Sequence, residues 1–272
     1  MENIMKYQFG FIGCGNMGGA LARAVAKEIP SQKIALCDTE VQKRDALAAA
    51  IGAVTVSLEE LVGESEFIFL GVKPQSLSHL FDTVRPLLEK RSTPAVLVSM
   101  AAGTSIDAIS ALAGGRLPII RIMPNTPVAV GEGMVLYACN REVTECMKNT
   151  FLAALSGAGC LDEIAEERID AASALSGCGP AFVYLFAEAL ADGAVECGLA
   201  RDQARLYAAQ TLIGAATLLL ESGKHPGELK DAVCSPGGTT IAGVHALESG
   251  AFRAAAMEAV TAAYRRTLEL KK

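Results

Sequence analysis

The sequence predicts an α/β fold in two parts: an N-terminal Rossmann-like, doubly wound sheet followed by an all-α C-terminal domain. Three observations predict it. Short apolar strands alternate with helical segments through the first half, and Gly13-Cys14-Gly15-Asn16-Met17-Gly18 follows the first strand and opens the first helix. Strand signals then stop after about residue 163. No Ser- or Pro-rich linker marks the change, so the switch of periodicity alone sets the domains at 1–163 and 164–272.

In order, residues 9–12 form a short buried strand and 16–27 a helix, with Met17, Leu21, Ala24 and Val25 near helical spacing. A second strand covers 33–37, a helix 41–51 and a third strand 53–56. The run 66–72 is continuously apolar after its first residue, as expected at the centre of a parallel sheet. Helix 76–88, strand 95–100, helix 105–112 and strand 118–123 continue the rhythm. Segments 133–139 and 160–164 read as extra edge strands around a helix at 142–155. Helices follow at 168–175, 180–197, 201–221, 226–233, 240–247 and 252–270. Gly198, Gly223 and Gly250 act as stops, and Pro180 suits a first helical turn. The helix over 201–221 carries a wide apolar stripe through Leu206, Leu212, Ile213 and Leu219, with Ala and Gly on its other faces. It is expected to pack against another copy of the chain.

Composition narrows the class. The 272 residues are 51% hydrophobic without a Trp, and the mean hydropathy of +0.33 fits either an Ala-rich core or a buried subunit interface. The net charge is −6 with no Lys/Arg block, which excludes nucleic-acid binding. No apolar run approaches a membrane span, and residues 1–9 lack a signal-peptide pattern, so the expected location is cytoplasmic. Eight cysteines form no C-x-x-C pair and only three histidines exist. Buried reduced thiols are expected rather than a metal site or disulfides.

The glycine run carries a dinucleotide. Gly13 allows a tight turn, Gly15 lets a pyrophosphate approach, and Gly18 lets the helix lie close to the strand; Cys14, Asn16 and Met17 complete the loop. Asp38 ends the second strand, where a carboxylate accepts ribose hydroxyls of NAD and repels the extra phosphate of NADP. Lys43 and Arg44 stand a turn later and offset that charge, and Asp38 can also cap the next helix. The balance leans to NADH. Val72-Lys73-Pro74 and Ala101-Ala102-Gly103 close two strands and should line the nicotinamide half of the groove. In Arg121-Ile122-Met123-Pro124-Asn125-Thr126-Pro127, Asn125 can bond cofactor or backbone. Ser176-Gly177-Cys178-Gly179-Pro180 reads equally as a helix start brought to the sheet or as a tight hinge.

Near the C-terminus, Cys234-Ser235-Pro236-Gly237-Gly238-Thr239-Thr240 leaves backbone N–H groups uncovered ahead of a helix start. Such a turn suits a small carboxylate.

The runs Ala174-Leu175-Ser176-Gly177-Cys178-Gly179-Pro180-Ala181-Phe182, His225-Pro226-Gly227-Glu228-Leu229-Lys230-Asp231 and Ser235-Pro236-Gly237-Gly238-Thr239-Thr240 resemble pyrroline-5-carboxylate reductases. So do Val72-Lys73-Pro74-Gln75 and Met123-Pro124-Asn125-Thr126-Pro127, and the resemblance spans about residues 10–268. It implies reduction of the cyclic imine of pyrroline-5-carboxylate to L-proline with NAD(P)H, the last step of proline biosynthesis. It implies helical domains interlocked into homodimers, often assembled into larger rings. The implied substrate site lies between the nicotinamide and the Ser-Pro-Gly-Gly turn, across a subunit interface. Ser235, Gly238, Thr239 and Thr240 would hold the carboxylate, Thr239 through its backbone, and the Thr240 hydroxyl would also face the ring nitrogen as the catalytic group. Cys178 stands where relatives often carry Ser. The family's usual NADPH preference conflicts with Asp38, since NADPH users tend to carry Ser, Asn or Arg there.

The inventory suits an imine. A bound protonated imine accepts hydride without a strong general acid, so positioning and electrostatics suffice. Among His79, His225 and His245, none lies between residues 80 and 224, and His245 reads as a packed or capping residue. Residues 149–223 contain no Lys, which counts against 3-hydroxyacid dehydrogenases. A non-catalytic dinucleotide sensor is the other class of reading; the intact 235–240 turn speaks against it, and imino-acid-dependent cofactor oxidation separates the two.

Overall fold

The computed structural model describes residues 5–270. Its described residues fall into two compact units, 5–177 with 266–270, and 178–265.

The first unit is built on one eight-stranded sheet of order β3-β2-β1-β4-β5-β6-β7-β8. The strands are β1 (Tyr7–Ile12), β2 (Ile34–Cys37), β3 (Val54–Thr55), β4 (Ser65–Leu70), β5 (Val96–Ser99), β6 (Ile119–Met123), β7 (Gly133–Cys139) and β8 (Gly159–Glu163). Strands β1 to β6 run parallel; β7 is antiparallel to β6, and β8 parallel to β7. Helices α1 (Asn16–Glu28), α2 (Val41–Ile51), α3 (Leu58–Glu64), α4 (Leu77–Glu89), α5 (Ile106–Ala113), α6 (Glu145–Ala154) and α7 (Ile169–Ser176) complete the unit. The doubly wound expectation holds, with the apolar β4 central.

Alternation along the strands divides the core. Phe9, Phe11, Phe67, Phe69, Val98 and Ile122 face α1 and α6, while Ile68, Leu70, Leu97 and Ile119 face α4, α5 and α7. Phe9 stacks on Phe67 at 5.1 Å and Phe11 on Phe69 at 4.5 Å. Each fully buried Phe contributes about 2 kcal/mol by leaving water.

Helix α3 is absent from the sequence expectations. Ser57 caps it by accepting the Glu60 N–H at 3.1 Å, and Glu59 and Glu60 occupy its first turn. The strands end at Glu163 close to where the sequence ends them, yet the compact unit runs on to Gly177, because α7 is tied to the sheet.

The second unit contains α8 (Gly179–Glu196), α9 (Arg201–Ser222), α10 (Pro226–Val233), α11 (Thr239–Ser249) and α12 (Phe252–Leu270), the last running into the C-terminal residues grouped with the first unit. Among the described residues its buried cluster is Ala191, Ala204 and Ala208. Large apolar side chains remain outside, with Leu220 83%, Met257 72% and Leu185 68% exposed.

Two expectations need correction. Residues Glu166–Glu196 are long and apolar enough to cross a membrane by length and composition, contrary to the sequence reading. Here they divide into α7 and α8. Gly250 ends α11 as expected, at an ordinary φ of −80°, and the following Ala251 takes the positive φ of 55°. All eight cysteines are free, but only Cys14 is buried; Cys146, Cys160 and Cys197 are exposed, because they sit on outward positions of apolar-looking segments.

Candidate active site

The glycine loop is shaped by close contact. Gly13 adopts φ +99°, and a Cβ there would stand 2.5 Å from the Gly71 carbonyl oxygen. A Cβ on Gly18 would stand 2.2 Å from the Gly13 carbonyl oxygen, so α1 lies against the loop. The Gly13 N–H donates to Cys37 O at 2.8 Å and the Gly71 N–H to Ile12 O at 2.7 Å, which ties the ends of three strands together. A Cβ on Gly15 meets nothing within 4 Å. Gly15 is the N-cap of α1, without a capping side chain or an acidic residue in the first turn. The uncapped amides and the positive helix end make an anion site.

A groove of about 700 Å³ opens over this loop. Gly13, Gly15, Asn16, Asp38, Val72 and Lys73 line it, with Lys43, expected to offset the Asp38 charge, and with Thr39, Gly71 and Leu80, which the sequence did not single out. Gly71 had a local signal, a glycine directly after an apolar strand. The others are set by the folding of β2, β4 and α4 around one mouth.

Asp38 is engaged. Its Oδ2 accepts the Cys14 N–H at 2.5 Å and its Oδ1 the Glu40 N–H at 2.7 Å. The cap position of α2 belongs to Glu40, so Asp38 braces the loop and the turn ahead of the helix rather than capping it. At the rim Lys43 Nζ lies 2.8 Å from Glu40 Oε1, and Arg44 pairs with Asp45 at 2.9 Å. Burial pushes the Cys14 thiol up to about 12, and the Asp38 charge adds to the shift.

The remaining cofactor candidates are placed differently. Cys14 is buried and Met17 packs on the core; they shape the loop rather than line the groove. Pro74 starts an exposed 3-10 turn and is not itself in the groove lining, which the turn reaches at Ser76. Ala101 is buried in the core, whereas Ala102 and Gly103 (φ +73°) are exposed at the end of β5. Asn125 is spent on backbone: Oδ1 accepts the Met134 N–H at 2.9 Å and Nδ2 donates to Ser176 O at 2.9 Å. Of its two readings the backbone one holds here, because the amide bridges β7 to the end of α7. The Gly177 N–H donates to Ser173 O at 2.8 Å and closes the end of α7.

In the second unit, Ser235 to Gly238 form a turn with Pro236 at its second position and Gly237 at φ +65° at its third. The Gly238 N–H closes it on Ser235 O at 3.0 Å. A Cβ on Gly238 would stand 2.3 Å from Ser235 Oγ, so a larger residue there would displace that hydroxyl. Gly238 is the N-cap of α11, Thr239 and Thr240 are its first two residues, and its first turn holds no acidic residue. Ser235, Thr239 and Thr240 are exposed. This is a second open helix start suited to a small anion.

Of the three histidines only His79 lines the groove. His225 caps α10 by accepting the Gly227 N–H at 3.1 Å, the capping role the sequence reading gave to His245. His245 itself is exposed on α11, and His79 lies 3.6 Å from Asp82 on the surface. No cluster of three or more metal-ligating side chains occurs among the described residues.

Comparison with known proteins places this architecture. Residues 166–270 match the family model described as pyrroline-5-carboxylate reductase dimerisation, and 8–103 that described as NADP oxidoreductase coenzyme F420-dependent. A pyrroline-5-carboxylate reductase of Glycine max is 41% identical over 97% of this chain and 96% of its own. That of Escherichia coli (strain K12) is 39% identical over 98% of this chain and 100% of its own. The crystal structure of Plasmodium falciparum pyrroline carboxylate reductase with NADP bound superposes with a TM-score of 0.86, at 33% identity, covering 100% of both chains. The Coxiella burnetii pyrroline-5-carboxylate reductase gives 0.89 at 31% identity over 99% of this chain and 100% of that one.

Proposed function

This chain belongs to the pyrroline-5-carboxylate reductase family, NAD(P)H-dependent oxidoreductases that reduce 1-pyrroline-5-carboxylate to L-proline, and from that premise we propose how its own residues divide the work. One observation carries the reading. Two open helix starts stand in one chain: α1, uncapped below a glycine loop in a dinucleotide-sized groove, and α11, uncapped after the 235–238 turn.

The loop 13–18 holds the pyrophosphate, with Val72, Lys73 and the 101–103 turn toward the nicotinamide. Backbone N–H groups of Thr239 and Thr240, with the Ser235 hydroxyl, hold the substrate carboxylate beside Gly238, whose own N–H closes the turn. The Thr240 hydroxyl faces the ring nitrogen. Hydride from the dihydronicotinamide adds to the imine carbon, and the C=N electron pair moves onto nitrogen. The proton on that nitrogen is already present in a bound iminium, or arrives from water hydrogen-bonded to Thr240. The rate then comes from positioning and from amide dipoles that hold the carboxylate.

The cofactor is NAD(P)H. The finer choice of NADH is supported by Asp38, whose charge stands at the groove rim with spare acceptor positions for ribose hydroxyls. The assembly is a homodimer formed by the helical unit, residues 164–272 of the sequence division, and a larger ring is open to it. Support comes from the apolar side chains that unit leaves exposed over a core of three alanines. Eight unpaired cysteines suit a reducing compartment, the cytoplasm.

The test mixes purified protein with pyrroline-5-carboxylate and follows NADH and NADPH oxidation separately. Imine-dependent oxidation is expected, with the larger kcat/KM for NADH. No oxidation with either cofactor, by folded protein that binds dinucleotide, overturns the reading.

A further inference from the structure

Arg121 is a buried cation in the middle of β6, 2% exposed. Its Nη1 lies 3.0 Å from Glu166 Oε1 and its Nη2 3.0 Å from Asp170 Oδ1. The same Glu166 oxygen accepts the Ile106 N–H at 2.7 Å. Ile106 is the first residue of α5, and Ser105 caps that helix by accepting the Ala108 N–H at 3.2 Å. Two carboxylates thus share one guanidinium in a buried place. The positive end of α5 offsets the surplus negative charge, since the Glu166 oxygen sits on a first-turn amide of that helix.

The segment entering α5 is 101–105. It turns back on itself through the Thr104 N–H to Ala101 O at 3.3 Å, and Gly103 takes a positive φ. Ser105 holds the helix start from within; Glu166 holds it from outside, and Glu166 is itself held by Arg121 on the neighbouring strand. Ligands of doubly wound sheets lie at the carboxyl ends of the strands, where this turn emerges from β5.

We propose that Glu166 is a positioning residue for hydride transfer, fixing the 101–103 turn against the nicotinamide by bolting the start of α5 to Arg121. This rests on the reading that the turn borders the nicotinamide. Glu166 touches no reacting atom. It acts through the Ile106 amide, and Arg121 and Asp170 keep its carboxylate in place.

The experiment compares Glu166→Ala, Glu166→Gln and Ile106→Pro with wild type. Proline is tolerated at a first helical position after an extended residue, so the last variant deletes the N–H and leaves the Arg121–Glu166 pair. Thermal midpoint, NAD(P)H affinity, kcat, both KM values and the primary isotope effect with 4-deuterated cofactor are measured. Glu166→Ala and Ile106→Pro are expected to lower kcat about 10- to 100-fold, as a displacement of order 1 Å does, with NAD(P)H affinity kept and the isotope effect raised. Glu166→Gln keeps an acceptor for Ile106 and restores most of kcat. Variants that lose thermal stability but turn over like wild type, with an unchanged isotope effect, overturn the positioning role alone. A folded wild type inert toward pyrroline-5-carboxylate overturns the reaction and the positioning role together.

Discussion

The Oδ2 atom of Asp38 lies 2.5 Å from the amide nitrogen of Cys14, so the carboxylate ending β2 holds the glycine loop that follows β1. One side chain therefore does two jobs: it supports the loop and sets the charge at the groove rim. Asp38→Ser removes both. The lost brace should raise KM for NADH and NADPH alike. The lost charge should shift the kcat/KM ratio toward NADPH by about tenfold, equivalent to about 1.4 kcal/mol. The ratio cancels the shared structural loss, so it is the quantity to measure. An unchanged ratio removes Asp38 as the selector.

Gly15 and Gly18 separate binding from folding. A methyl on Gly18 runs into the Gly13 carbonyl at 2.2 Å, whereas one on Gly15 meets only the groove. Gly18→Ala should destabilise the protein by roughly 1–3 kcal/mol through overpacking and lose cofactor binding with it. Gly15→Ala should unfold at the wild-type temperature yet bind NAD(P)H poorly. Calorimetry and cofactor titration on the two variants check the contrast.

These glycines were legible in the sequence because the need for them is local: a turn, an uncovered amide, a helix against a strand. The same holds for the Ser235 turn, where Pro236 and Gly237 announce their own backbone angles. Helix α3 also had a local mark, Ser57 three residues before Glu60, but its short apolar stretch hid between two strands. Arg121, Glu166 and Asp170 had none. Their contacts cross 45 and 49 residues, and an Arg in an apolar strand says nothing of which carboxylates will meet it. Asn125 shows a second limit: an amide can serve cofactor or backbone equally well, and only the positions of Met134 and Ser176 decide. Cysteine burial failed for a related reason, since hydropathy of a segment does not say which of its side chains faces outward.

Burial, and then the charge of Asp38, pushes the Cys14 thiol up to about 12, so the fold favours the neutral thiol. With the folded value above the unfolded one, this contribution is whole below the unfolded thiol range of about 8.5 and is lost as pH rises toward the folded value. Wild type should lose stability through this alkaline window with a slope of up to about 1.4 kcal/mol per pH unit from this thiol. Cys14→Ala should show a shallower decline, read from denaturant melts across the window. Thiol reagents at mild alkaline pH should label the exposed Cys146, Cys160 and Cys197 and spare Cys14. Parallel declines in the two proteins would remove Cys14 as a source of alkaline instability.

Ala251, between α11 and α12, has a φ of 55°, the one positive value on a non-glycine among the described residues. Its Cβ crowds the neighbouring carbonyl there, while the preceding Gly250 spends its freedom at an ordinary angle. Ala251→Gly should stabilise the protein by about 0.5–1 kcal/mol, after allowing for the greater freedom of glycine in the unfolded chain. A raised denaturation midpoint with unchanged slope is the expected result.

Thr240 is the sharpest test of the second helix start. Its hydroxyl is exposed and, among the described residues, makes no hydrogen bond, so deleting it removes no fold contact. The backbone N–H groups that would hold the carboxylate survive Thr240→Ala, and so does the dinucleotide groove of the first unit. If the hydroxyl orders the substrate nitrogen, kcat should fall about 100- to 1000-fold, the range for losing one donor at a reacting centre. Thermal stability and NAD(P)H affinity should stay at wild-type values. Thr240→Ser should recover most of the rate, because the hydroxyl returns without the methyl. Wild-type turnover by the alanine variant would assign the turn to carboxylate binding alone and leave the nitrogen to water.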